Sequence, residues 1–129
     1  MDKLEFLILR NLIHNEEYVR KVLPFIKAEY FENYNEKVVF EEVSKFVEEY
    51  NKPVTKEVLC IETEKRQDIN DSSFKEVTQL ISTLDDEPTE FNWLVNTTEK
   101  WCRDRAIYLA LMESIQLADG KDETKDRDA

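Results

Sequence analysis

The chain has 129 residues, with 29 acidic and 18 basic side chains, a net charge of −11 and one histidine. That length suits one domain with a single core. The only glycine is Gly120, which excludes Gly-rich phosphate cradles, since both the P-loop and the dinucleotide fingerprint need several. Scarce glycine also argues against an all-β fold, and the acidic excess argues against tight, sequence-independent binding to nucleic acid.

Six helices are expected in chain order. The first covers Lys3 to His14, with Asp2 as N-cap and with Leu4, Leu7, Ile8 and Leu12 on one face. It lacks the basic leader and small-residue cleavage site of a signal peptide, and no segment is apolar for the length a membrane span needs, so a cytoplasmic protein is expected. Asn15 caps a second helix through Tyr18, Val19, Val22 and Leu23, which Pro24 ends. In the connector that follows, Tyr30, Phe31 and Tyr34 are expected to fill a gap between helices. The third helix, Glu36 to Tyr50, repeats Val39, Val43, Phe46, Val47 and Tyr50 at helical period. Thr55 caps a fourth, with Val58, Leu59 and Ile61. Ser73 to Glu76 reads as a capping box opening a fifth, with Val77, Leu80, Ile81 and Leu84 inward.

The sixth helix is the unusual one. From near Thr89 to Ala118 nothing breaks it, and at about 1.5 Å per residue it is roughly 43 Å long. A domain of this size is roughly 36 Å across, so the helix is expected to outrun it. Its near half has a core stripe of Phe91, Leu94, Val95, Trp101 and Cys102. Its far half has seven consecutive apolar residues, 106–112, followed by Ile115, Leu117 and Ala118. A helix apolar all round must be covered all round, either as a central core helix wrapped by its own domain or, as expected here, by another chain. Ile107, Tyr108, Leu111, Met112 and Ile115 are the expected contact residues. Residues 3–118 thus form one helical domain, and 119–129 a charged tail expected to be disordered, with Gly120 as C-cap.

Catalytic or metal-binding groups do not stand out. His14 lies at a helix end without a nucleophile motif, and Cys60 and Cys102 are too isolated for a zinc site or a disulfide framework, reading instead as reduced core residues. Asp85, Asp86 and Glu87 suit a solvated helix start. Glu41 with Glu42, and Glu48 with Glu49, are expected to face water. Lys65 with Arg66, and Lys100, Arg103 and Arg105, are expected as solvated rim charges.

Several segments in order carry a family resemblance: LI at 12–13, Tyr18, VLPFIKAEYFE at 22–32, Phe40, EEY at 48–50, Pro53, SSF at 72–74, LISTL at 80–84, WLV at 93–95, TEK at 98–100, and Arg105 with Ala106. Together they resemble the start of the hexameric, DnaB-like replicative DNA helicases of tailed phages, over roughly residues 7 to 115. The resemblance implies a small all-α bundle followed by a helical hairpin, of which the sixth helix is the first arm. It implies pairing with a second copy in a ring, and contact with primase and helicase loader. ATP, Mg²⁺ and the motor would belong to a carboxy-terminal domain that these residues do not include, so the chain is expected to be a non-catalytic piece of a longer protein, in the bacterial cytoplasm. A different reading, a free-standing acidic module or DNA-mimic inhibitor, rests on the charge alone.

Overall fold

The computed structural model describes the backbone of residues 3–128 and the side chains of residues 4–119. It is all-α: α1 is Lys3–His14, α2 Glu16–Val22, α3 Tyr34–Tyr50, α4 Lys56–Glu64, α5 Asp71–Thr83 and α6 Phe91–Asp128. Two single 3₁₀ turns, Leu23–Phe25 and Ala28–Tyr30, join α2 to α3. No strand occurs among the described residues.

One device starts four of these helices. The side-chain oxygens of Asn15, Asn33, Thr55 and Asn70 accept from the backbone N–H three residues on, at Tyr18, Glu36, Val58 and Ser73. Each satisfies an amide the helix itself cannot. Asn70 therefore caps α5, not Ser73, and α5 begins at Asp71. Asn33 likewise starts α3 at Tyr34, earlier than the expected Glu36. Glu90 opens α6, its carboxylate accepting from Asn92 and Trp93 N–H at 3.3 and 2.6 Å. In a chain nearly without glycine, Asn51 takes the left-handed C-cap of α3 at φ 53°, and its N–H donates to Val47 O. The Asp2 cap expected for α1 lies outside the described residues.

Helices α1 to α5 pack on one another, α3 against α1, α4 and α5, and α1 against α2. The core holds Ile8, Leu9 and Leu12 of α1, Tyr18, Val19 and Val22 of α2, Val38, Val39 and Val43 of α3, Leu59, Val77 and Ile81. Three expectations are corrected. Leu4 and Leu7 are only partly buried, while Leu9 is fully inside. Tyr50 and Ile61, expected inward, are exposed because the outer turns of α3 and α4 have nothing packed over them. Of the three connector aromatics, Tyr30 and Phe31 fill the gap as expected. Tyr34 instead stands exposed on the first turn of α3, its hydroxyl donating to Asp68 O at 3.2 Å.

The segment between α5 and α6 is tied back onto α1. The Arg10 guanidinium donates to Asp85 Oδ1 at 3.2 Å and to Thr89 Oγ1 at 3.0 Å, and Asn11 Nδ2 donates to Thr89 Oγ1 at 3.1 Å. His14 Nε2 lies 2.8 Å from Leu84 O. These contacts fix where α6 begins. Asp85 and Glu87 are thus partners of Arg10 rather than a free acidic helix start.

Candidate assembly surface on the last helix

The near half of α6 is part of the bundle. It packs on α2 and on the Ala28–Tyr30 turn, burying Leu94, Val95, Thr98, Trp101 and Cys102. Trp101 sits between Phe31 and Tyr30, with ring centroids 5.0 and 5.9 Å away, the second edge-on. Its indole N–H donates to Glu5 Oε1 at 3.0 Å, tying α6 to α1. The Tyr18 hydroxyl and Thr98 Oγ1 share a buried hydrogen bond of 2.6 Å. Burial raises the Tyr18 hydroxyl well above its ordinary pKa, the Thr98 bond opposing this in part. The Cys102 thiol is pushed up to about 11 by burial, with the Glu99 charge adding to it. Cys60 and Cys102 are both free thiols, as the sequence suggests.

Arg105 closes this contact. Its Nε donates to Tyr30 O at 2.6 Å, Nη1 reaches Glu32 Oε1 at 3.2 Å, and its guanidinium lies 5.0 Å from the centroid of the Tyr108 ring. Arg105 therefore anchors the end of the docked half and is no solvated rim charge.

Past Arg105 the helix leaves the bundle. Only Leu109 is partly buried between Ala106 and Asp119, and every other described side chain there is exposed. Ile107 is 56% exposed, Tyr108 48%, Leu111 59%, Met112 38% and Ile115 55%. All five expected contact residues therefore sit together on the projecting half. Side chains this apolar are rarely left in water at such density on a soluble protein. At the root of the arm an open groove of about 340 Å³ adjoins them, lined by Phe25, Tyr30, Glu99, Cys102, Arg103 and Ala106. Phe25, at 63% exposure, is an apolar neighbour the sequence reading did not single out. The helical backbone continues through Gly120 to Asp128, past both the expected C-cap and the expected end at Ala118. The disorder expected of the tail falls on residues whose side chains lie outside the described ones.

Several of the bundle's charged residues pair with one another. Glu42, expected in water, is buried, and its carboxylate accepts from Arg66 at 2.7 Å and pairs with Lys45 at 3.1 Å. Arg66 also reaches Glu41 and Asp68, at 3.0 and 2.8 Å. Hydrogen bonding to Arg66 holds the Asp68 carboxyl below its usual range, and these carboxylates raise Arg66 in turn. The signal was present: Glu42 stands between Val39 and Phe46, at helical spacing on the inward stripe. Among the described residues no group of His, Cys, Asp and Glu is arranged to hold a metal, and no helix is long and apolar enough to cross a membrane.

The exposed apolar arm beside a closed bundle is the candidate surface, and the comparisons bear on the protein it belongs to. No family model matches the chain. Over 111 residues, 86% of its length, it is 32% identical to the DnaB-like replicative helicase of Enterobacteria phage T4. The likeness is to a replicative helicase. The chain spans 23% of that helicase's length. The resemblance carried by the short sequence segments is thus borne out over nearly the whole chain.

Proposed function

We propose that these residues are the non-catalytic, amino-terminal assembly and docking domain of a replicative DNA helicase. The observation that carries this reading is the projecting half of α6, an apolar arm standing clear of a complete bundle. The similarity to a DnaB-like helicase supports it, and the partial coverage of that relative fits a domain of a larger protein. In this reading ATP hydrolysis and DNA translocation lie in a separate motor domain, with ATP and Mg²⁺ as its ligands. The arm pairs subunits within a ring in the bacterial cytoplasm, and the bundle surface meets primase and helicase loader. Six of the bundle's acids, Glu41, Glu42, Glu62, Asp68, Asp85 and Glu87, are engaged by Lys and Arg, and the DNA-mimic reading rests on the net charge alone.

Light scattering on the chain and on Leu111→Asp and Met112→Asp tests the proposal. The parent associates as its concentration rises, and both variants remain monomeric with unchanged helicity. A parent that stays monomeric, or variants that associate as the parent does, would overturn it.

A further inference from the structure

The bundle divides by its contacts. Helices α4 and α5 pack on each other and on α3, whereas α6 packs on α2 and on the Ala28–Tyr30 turn. The seam between α5 and α1 is loosely filled: an open groove of about 380 Å³ runs between Phe6 of α1 and Glu76, Gln79, Leu80 and Thr83 of α5. Both roots of the α4–α5 pair are pinned. Before α4, Arg20 of α2 donates to Asn51 Oδ1 and to Asn51 O, each at 3.2 Å, and Val54 is buried. After α5, Leu84 is buried and the Arg10 guanidinium holds Asp85 and Thr89. Lys56 Nζ, at the start of α4, donates to Ser82 O near the end of α5 at 3.3 Å and so joins the two helices where they leave the bundle. The far end of the pair is fastened to α3 by polar groups. Arg66 reaches Glu41 and Glu42 at 3.0 and 2.7 Å, the Tyr34 hydroxyl donates to Asp68 O at 3.2 Å, and Asn35 Nδ2 donates to Glu76 Oε2 at 3.1 Å.

We infer that α4 and α5 form a latched flap, which opens as one piece while α1, α2, α3 and the docked half of α6 stay folded. Parts of a protein that open below the free energy of global unfolding tend to be supersecondary units with few buried apolar contacts, and two antiparallel helices held at their roots are such a unit. Within the pair only Leu59, Val77 and Ile81 are buried apolar side chains, whereas α1 alone buries Ile8, Leu9, Leu12 and Ile13. The pinned roots keep the opening from spreading. Beyond them Phe40 of α3 still lies 5.4 Å from Phe31, which in turn lies 5.0 Å from Trp101 of α6, so α3 stays tied to the rest. The latch is Arg66, because it alone joins the connector after α4 to both Glu41 and the buried Glu42. Opening uncovers Leu59, Val77, Ile81 and the side of α3 they pack on, and leaves the base of the projecting arm as it was. The inference therefore stands apart from whatever the arm meets.

Native-state hydrogen exchange on the dilute chain at pH 7 tests the flap. Interior amides of α4 and α5 share one opening equilibrium and exchange at least ~10-fold faster than those of α1 and the docked half of α6. Val95→Ala, in the docked half, speeds the α1 and α6 amides about tenfold and leaves those of α4 and α5 within about twofold, because the closed and open forms both keep the base intact. Trp101→Phe takes its place should Val95→Ala fail to fold. Arg66→Met speeds the α4 and α5 amides about tenfold or more, since the closed form alone loses the latch. A base substitution that speeds exchange equally in every helix would overturn the flap by showing one cooperative unit. Unequal opening of α4 and α5 would overturn their movement as one piece, and exchange there unmoved by Arg66→Met would overturn the latch.

Discussion

The two halves of α6 are one unbroken helix with opposite fates. Before Arg105, apolar residues are spaced as a stripe that the bundle covers, with Trp93 beside it left half exposed. After Arg105, apolar residues spread around the helix while the bundle has already ended, and six large side chains, Leu117 among them, stand about half in water. The difference is not one of composition, since Leu94 and Leu111 are the same residue on the same helix. It is a difference of geometry: five short helices make a body too small to follow a helix of 38 residues.

The comparison is broken most directly by leucines. Leu94→Ala removes a fully buried side chain and is expected to cost about 2–5 kcal/mol in thermal or urea unfolding. Leu111→Ala at a concentration where the chain is monomeric should shift stability by no more than about 0.5 kcal/mol. Equal losses at the two sites would mean that the far half is packed after all. Next in size is Arg66→Met. It leaves the Glu42 carboxylate buried with only Lys45 beside it, and should cost about 3 kcal/mol by urea unfolding. Smaller still is Asn70→Ala, at about 1 kcal/mol for a lost cap, where Ser73→Ala costs clearly less. The reverse order would return the start of α5 to Ser73.

The pH dependence divides the molecule in the same way. The Asp68 and Glu62 carboxyls are held below their ordinary values, Asp68 mainly by hydrogen bonding to Arg66 and Glu62 by hydrogen bonding to Lys65. Such groups bind fewer protons folded than unfolded near pH 4. Their stabilisation is therefore complete above the usual carboxylate range and is lost as pH falls through it. Tyr18 runs the other way: its raised value means stability declines as pH rises past 10, where the unfolded chain ionises first. Both effects belong to the bundle and to the docked half of α6. Following thermal stability from pH 7 down to 3 and up to 11 checks both signs.

Much of this division was legible in the sequence. The spacing of Val39 and Val43, the caps Asn15 and Thr55, and the bounds of α1 follow from periodicity and cap chemistry. So does the overrun of α6, because helix length and domain diameter are simple functions of residue number. The placement of Ile107, Tyr108, Leu111, Met112 and Ile115 on one projecting segment is the same arithmetic. What was illegible depended on neighbours distant in the chain. Glu42 reads as solvent-facing until Arg66, from the end of α4, arrives to pair with it. Tyr50 and Ile61 fit an inward stripe, but a stripe says nothing of whether a partner helix extends that far. The choice of Asn70 over Ser73 was a contest between two good caps three residues apart, and the earlier one won.

Hydrogen exchange along α6 tests the account most directly. Amides from Leu94 to Arg105 should exchange slowly at every concentration, because opening them requires undocking Trp101 and Leu94. Amides from Ala106 to Asp119 should exchange quickly in dilute protein and slow as the concentration rises into the range where copies pair. Strong protection of residues 106–119 in dilute protein, equal to that of the docked half, would contradict the account by showing that the bundle covers the arm itself.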